Sequence, residues 1–502
     1  MKNINELIMN SVRKFGEKRA VEDESNVLTY KQLGMLAGTV GTFLSGKGFF
    51  QKPIIVLCNR NIESVVMLLG VVLSGNIYVP IDISQPKERI RKMLCIVDPC
   101  AVLGVDETRT CFIENDNIRY YTYNECINTR CDDTVLKQIS KRIQITDTLN
   151  CIFTSGSTGI PKAVVKSHRS ILSMVKSFES FINFSCDEIF GSQSPIDFDI
   201  SNKTIYISLN NGCTVSLIPR NELTFPGKLI RYINERKITS GFWSTAALSI
   251  IARFDAMKNT KPQYLKKLMF SGEKLSVNVL NYWKTHSPET QLINLYGTTE
   301  MAGNALYHII DKEKNYDIVP IGKALTGVTV YLFNDKGMAI VSPFEKGEIV
   351  IQGNVLADGY YNDVLKTNEV FIRTKENEVL YKTGDIGYFD DNGIYYFLGR
   401  NDDQIKKNGY RIELDEIERV AESFEFIFSC CCIYSEKNNK IVLFYESEEE
   451  ADCQLLLHLK ASIPPYMMPD MVIFVKKMPL NPHGKKDKHK LKEAIYNGEI
   501  CV

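Results

Sequence analysis

The sequence carries no net charge, sixty Lys and Arg against sixty Asp and Glu. There is thus no overall positive field to draw nucleic acid or an anionic membrane, and neither is expected as a partner. Long apolar runs are missing as well. The longest, Val65 to Leu73, falls far short of the roughly 20 residues a membrane helix needs. The opening MKNINELIMNSVRKF is amphipathic rather than signal-like, so a cytoplasmic location is expected. The six histidines form no HxxxH or HExxH pair, which argues against a zinc centre. Fourteen cysteines contain no CxxC spacing, and Cys430, Cys431 and Cys432 lie inside the apolar run FIFSCCCIY, read as a buried strand with small hydrophobes. The Walker spacing of a glycine, four residues, then Gly-Lys-Ser/Thr is absent too.

What stands in its place is TSGSTGIPK, from Thr154 to Lys162. Pro161 blocks the helix that a Walker loop would enter. Small residues nonetheless let backbone amides approach an anion, the hydroxyls can donate to phosphate oxygens, and the preceding Cys151-Ile152-Phe153 reads as a buried strand. The alternative is a solvated surface loop. At 502 residues the chain exceeds one ordinary core and suggests roughly three or four structural units. Strand-like Pro53 to Cys58 followed by a helical pattern over Asn61 to Ser74 predicts α/β layers with buried parallel strands. From about residue 320 glycines punctuate short strands, VTVYLF and GEIVIQG, predicting a β-rich subdomain over about 320–400. After LGRNDDQIKKNGYR the pattern turns mixed, with helices predicted at Leu414 to Phe424 and before Ser462. A boundary is placed at Asp402, in the charged, glycine-flanked segment, dividing residues 1–401 from 402–502.

Four further segments join the loop: NLYGTTE (Asn294 to Glu300), YKTGD (Tyr381 to Asp385), GRNDDQIKKNGYRIE (Gly399 to Glu413) and NPHGK (Asn481 to Lys485). In this order the chain resembles the adenylate-forming superfamily: nonribosomal-peptide adenylation domains, acyl-CoA synthetases and luciferases. The resemblance covers essentially the whole chain. It implies a large α/β N-terminal domain of several subdomains and a small, mobile α+β C-terminal lid hinged at Asp402. It also implies ATP and Mg2+: a carboxylate attacks the α-phosphate, pyrophosphate leaves and an acyl-adenylate remains. Thr154, Ser155, Gly156, Ser157, Thr158, Gly159 and Lys162 would embrace the outer phosphates. Tyr296 would stack on adenine, within a nucleotide-binding stretch that also holds Asn294, Gly297, Thr298 and Thr299. Asp385 would accept both ribose hydroxyls, Arg400 would add a ribose or phosphate contact, and Glu300 would bind the magnesium. Lys485 would be the catalytic cation bridging the substrate carboxylate and the α-phosphate. Each has a plainer alternative: Lys485 as part of a solvated basic run, Asp385 as a turn cap, Glu300 as a first-turn helix carboxylate. Two departures from the family pattern, Ala163 for glycine and Thr298 for proline, remove no charge or ligand.

Within the superfamily the likeness is greatest to amino-acid-activating members, especially stand-alone D-alanine carrier-protein ligases. It is carried by IYVPIDISQPKERI, MFSGEKL, KNGYRIELDEIE and IPPYMMP. Asp199 matches the aspartate that pairs with a substrate α-ammonium, and a buried carboxylate without a partner would cost several kcal/mol; the alternative is that Asp199 or Asp197 caps the following helix. The side-chain pocket would be lined by Lys203, Phe242, Met269, Ser271, Gly272, Leu295, Gly303 and Asn304. Lys203 either points inward, suiting an acidic or hydroxylated side chain, or snorkels outward. Gly409 would let a pantetheine arm pass in the thioester step, or simply satisfy a turn. The expected function is activation of a small or polar α-amino acid as aminoacyl-AMP and transfer to the phosphopantetheine thiol of a separate carrier protein, because no carrier serine follows Lys485. The alternatives are an acyl-CoA synthetase for a non-amino acid and a non-catalytic nucleotide-binding relative.

Overall fold

The computed structural model describes residues 1–106, 108, 118–156, 160–401, 404–436, 438–480 and 486–496. The chain divides into two compact units. The first comprises residues 1–83, 96–153 and 163–401, and the second 84–95, 154–162 and 402–502. This grouping cuts across sequence order, which a boundary placed by sequence texture has no means to express.

The first unit contains three sheets among the described residues. One has seven strands, with Lys162–Ser167, Thr148–Thr154, Ile77–Asp82 and Pro53–Cys58 adjacent in that order. Pro53–Cys58 is buried along its whole length and parallel to Ile77–Asp82, which is why it reads as an unbroken apolar run. Between them runs the helix Ile62–Leu73. It starts where the Asn61 side chain accepts from the Ser64 amide and closes at Ser74, whose amide donates to the Gly70 carbonyl. A nine-stranded sheet places Ser240–Ser244, Lys267–Ser271 and Gln291–Tyr296 side by side and parallel. A third, five-stranded antiparallel sheet contains Val328–Phe333, Gly347–Gly353, Val379–Phe389 and Tyr395–Arg400, the glycine-punctuated region of the sequence.

The second unit carries a two-stranded hairpin, Gln404–Lys407 with Tyr410–Glu413, and a three-stranded sheet of Ser429–Ser435, Lys440–Glu446 and Met471–Val475. The three consecutive cysteines sit buried in Ser429–Ser435, and burial pushes the Cys430 and Cys432 thiols up, so they stay protonated and act as small hydrophobes. The helix predicted through Phe424 stops two residues earlier, at Leu414–Glu422, with Ser423 closing it through a hydrogen bond from its backbone N–H to the Arg419 carbonyl. The helix before Ser462 is Asp452–Ser462. Among the described residues no helix is long and apolar enough to cross a membrane.

Candidate active site

In the first unit, strand register builds the first cluster. Asp385 on Val379–Phe389 pairs with Arg400 on Tyr395–Arg400, so the two side chains face each other across the sheet. Arg400 Nη1 lies 2.5 Å from Asp385 Oδ1 and also donates to the Thr383 carbonyl at 3.1 Å. The other carboxylate oxygen accepts from the Tyr296 hydroxyl at 2.6 Å. Asp385 is fully buried, and burial together with its negative charge pushes the Tyr296 phenol well up. Asp385 therefore lies within a strand, which removes the turn-cap alternative. Tyr296 ends the strand Gln291–Tyr296, with Asn294 two residues earlier donating to the Pro320 carbonyl at 2.7 Å.

The turn after Tyr296 is tightly packed. A Cβ on Gly297 would approach the Asn304 Cα and the Gly303 carbonyl oxygen to 2.8 Å each, so only glycine fits. Thr298 donates to the Tyr381 hydroxyl at 3.2 Å, and Thr299 lies in the turn beside it. Glu300 is buried and accepts from the Tyr360 hydroxyl at 2.7 Å. It lies in a turn before an isolated bridge from Met301 to Leu356 rather than in a first helical turn, so the helix-dipole alternative falls. Among the described residues no group of three or more His, Cys, Asp or Glu could hold a metal by itself. One buried carboxylate suits Mg2+ where nucleotide phosphates and water supply the remaining oxygens.

The second cluster surrounds Asp199, the residue before the helix Ile200–Asn211. Its side chain caps nothing. Instead it is ion-paired with Lys166, a fully buried lysine on Lys162–Ser167, and accepts from the Asn202 side-chain Nδ2 at 3.1 Å. Asn202 accepts in turn from the Tyr78 hydroxyl at 2.7 Å. One turn on, Lys203 is buried and its Nζ donates to Asn304 Oδ1 at 2.8 Å, which settles the choice between pocket and solvent in favour of the interior. Burial lowers the Lys203 pKa to about 8, with Asp199 opposing and Lys166 reinforcing the shift. Its ammonium lies 5.9 Å from the Phe242 ring centre, and Phe242, Met269 and Leu295 belong to one buried cluster. Phe242 and Met269 are register partners, as are Ser244 and Ser271 at the strand ends. Gly272 and Gly303 take positive φ, 115° and 100°, and a Cβ on Gly303 would meet Met174 Cγ at 2.7 Å.

In the second unit the TSGSTGIPK loop already holds anions. The Gly156 amide donates to Glu416 Oε2 at 3.1 Å, and Lys162 Nζ lies 3.6 Å from Glu413 Oε1. Ser155 donates to the Arg411 carbonyl at 2.8 Å, and Arg89 pairs with Glu416. The Thr154 hydroxyl is buried without a hydrogen-bond partner among the described residues. An amide and an ammonium that hold carboxylates, beside an unpartnered hydroxyl, have the donor chemistry for phosphate oxygens. Gly409, at φ 83° with Asn408 at 55°, forms the Asn-Gly turn of the hairpin. Ser157, Thr158, Gly159, Asp402 and Lys485 lie outside the described residues.

Sequence reasoning missed Lys166, Tyr360, Glu413 and Glu416. Lys166 left a signal: a lysine following the apolar Ala163-Val164-Val165 near the end of the strand Lys162–Ser167 is a residue that, when buried, is paired with an anion.

The three sheets of the first unit and these clusters suit an AMP-binding enzyme, and the family described in those words matches residues 8–361: the chain belongs to it and to the adenylate-forming superfamily. The chain is similar to bacitracin synthase 1 of Bacillus licheniformis, 30% identical over 520 residues, covering 98% of this chain and 9% of that protein. It is also similar to the D-alanine–D-alanyl carrier protein ligase of Staphylococcus haemolyticus, 27% identical over 503 residues, covering 97% and 99% of the two chains. Among solved structures, an NRPS protein containing adenylation and PCP domains, bound to a vinylsulfonamide inhibitor, matches with a TM-score of 0.83 at 26% identity. That match covers 98% of this chain and 84% of the other. The mixed α/β fold class expected from the sequence is thereby borne out.

Proposed function

We propose that the protein activates a carboxylic acid with ATP, forming acyl-AMP and releasing pyrophosphate, and passes the acyl group to the phosphopantetheine thiol of a carrier protein. The observation that carries the reading is the buried Tyr296–Asp385–Arg400 cluster, in which one carboxylate is held in place from two sides. Asp385 would accept the ribose hydroxyls, with Arg400 fixing its position. Gly156 and Lys162 would exchange the carboxylates of Glu416 and Glu413 for phosphate oxygens. Glu300 would hold Mg2+, which supplies charge neutralisation at the phosphates. Lys485 would bind the substrate carboxylate and the α-phosphate, where charge develops as the bond to pyrophosphate breaks.

The relatives' amino-acid chemistry supports a small or polar α-amino acid as substrate, and the inward Lys203–Asn304 pair supports a side chain that accepts a hydrogen bond. The residues 402–502 would act as a mobile lid hinged at Asp402, with Gly409 lining the path of the thiol arm in the second half-reaction. The test is a trapping experiment: ATP, Mg2+, a panel of amino acids and hydroxylamine, with the hydroxamate read by mass spectrometry. A hydroxamate formed only with ATP and one class of acid supports the reading; ATP turnover without any acid-dependent product refutes it.

A further inference from the structure

The family's use of the aspartate before this helix rests on a charge argument: a buried carboxylate needs a cation, and an amino-acid substrate brings one. Here the chain brings its own. Lys166 is fully buried, its ammonium is on Asp199 Oδ1, and the same oxygen accepts from Asn202 Nδ2 at 3.1 Å. Asn202 is locked in turn, because its Oδ1 accepts from the Tyr78 hydroxyl at 2.7 Å and from Asn150 Nδ2 at 3.1 Å. A second buried lysine, Lys203, points at Asn304 within the same group of side chains. Lys166 thus pairs directly with the Asp199 carboxylate, and Lys203 lies near enough for both groups to act on its charge. A substrate α-ammonium would add a third positive charge to a buried region already in cationic excess, whereas a substrate with a neutral group in that place leaves the Lys166–Asp199 pair intact.

We propose that Lys166 is a specificity-determining residue that supplies the positive charge a substrate ammonium would bring, so that adenylation does not depend on that ammonium and acids lacking it, α-hydroxy acids in particular, are accepted alongside α-amino acids. A hydroxyl in the amine's place donates or accepts one hydrogen bond without disturbing the pair, and Lys203 with Asn304 serves a polar group at the far end of the substrate. The chemistry is otherwise that of the proposed reaction, on which this inference rests. A carboxylate oxygen forms the new bond to the α-phosphorus of ATP, the bond from that phosphorus to the bridging oxygen breaks, and the electron pair leaves with pyrophosphate. No oxidant or further reactant is needed.

The experiment is ATP–pyrophosphate exchange by the full chain with matched pairs of acids, an α-amino acid and the α-hydroxy acid with the same side chain, in both configurations. A site that depended on the substrate ammonium would reject the hydroxy analogue by about 10⁴-fold, as sites with buried polar groups reject analogues that leave those groups unpaired. Here the hydroxy acid is expected to reach a kcat/KM within about a hundredfold of its amino counterpart, or to exceed it. A larger preference for the amino acid overturns the proposal. Lys166→Met should move the ratio of hydroxy to amino acid by about tenfold or more toward the amino acid, because Asp199 then lacks its cation; an unchanged ratio in the folded variant overturns the assignment. The wild-type comparison requires no variant, so it decides the matter even where Lys166→Met does not fold. Exchange with amino acids alone overturns only this inference. Absence of exchange with every acid overturns the adenylation reading and this inference together.

Discussion

Replacing Asp385 with Asn keeps the shape of the side chain and removes its charge, which makes it the most informative change at the nucleotide cluster. Two costs follow. The first is structural: Arg400, whose side chain is 9% exposed, loses its counter-ion. Breaking a buried pair by removing one partner costs about 3 to 5 kcal/mol, and the bond from Arg400 to the Thr383 carbonyl places this case toward the lower end. The second is functional. In the proposed complex the carboxylate accepts from both ribose hydroxyls, and hydrogen bonds to a charged group are worth about 1.5 to 3 kcal/mol each. A neutral hydrogen bond is worth about 1 kcal/mol less, so losing charge assistance in both weakens ATP by roughly 2 to 3 kcal/mol, about thirty- to a hundredfold in KM or Kd.

The two costs separate by assay. Urea unfolding reports the first, and calorimetric titration with ATP, under conditions where the variant is folded, reports the second. Deoxy-ATP lacking the 2′-hydroxyl sharpens the test: it should bind the wild type markedly more weakly than ATP, yet bind the Asn variant almost as ATP does. A folded Asp385→Asn protein with wild-type affinity for ATP, or an undiminished penalty for deoxy-ATP, would refute the ribose role.

Lys203→Met should shift substrate preference toward small apolar side chains, checked by ranking acids in pyrophosphate exchange; an identical ranking places the ammonium outside the acyl pocket. Its folded pKa of about 8 lies below the ordinary lysine value of 10.5, so the unfolded chain binds the extra proton between them. The stability contributed by this group therefore rises with pH across that window. Any preference for a polar or anionic side chain that rests on its charge should fade as pH rises through about 8, and a pH-independent ranking would count against it. Lys485→Ala should reduce adenylate formation by roughly a hundredfold while sparing transfer from preformed acyl-AMP. Gly409 has positive φ in an Asn-Gly turn, so a bulky replacement would strain the hairpin; Gly409→Asn, which tolerates that conformation, is the better probe. It should slow carrier loading more than exchange, and a parallel loss of both in the two variants would leave the alternating-lid proposal without support.

The parts of the fold legible in the sequence are those set by local pattern. Val328–Phe333, Gly347–Gly353 and Pro53–Cys58 appear as strands over the stretches read from periodicity, and the helix Ile62–Leu73 lies between the capping residues Asn61 and Ser74 that the pattern included. What was not legible depends on distant partners. Lys166 and Asp199 are 33 residues apart in sequence and meet only because a strand end and a helix start converge in the fold. The premise that Asp199 would lie unpaired without a substrate ammonium was sound physics applied to an incomplete inventory, and Lys166 corrects it. Glu413 and Glu416 at the phosphate loop were invisible for the same reason, lying more than two hundred residues downstream of their partners, as with the 260 that separate Gly156 from Glu416.

The central claim is that this chain spends ATP on a carboxylate, and pyrophosphate exchange tests it most directly. Wild-type protein with ATP, Mg2+ and labelled pyrophosphate should return label to ATP only when a suitable acid is present, across a panel of L- and D-amino acids, α-hydroxy acids, and fatty and aryl acids. Saturable exchange driven by an amino or hydroxy acid is the predicted result. Exchange driven only by fatty or aryl acids would contradict the substrate assignment, and no acid-dependent exchange by protein that binds ATP would contradict the account as a whole.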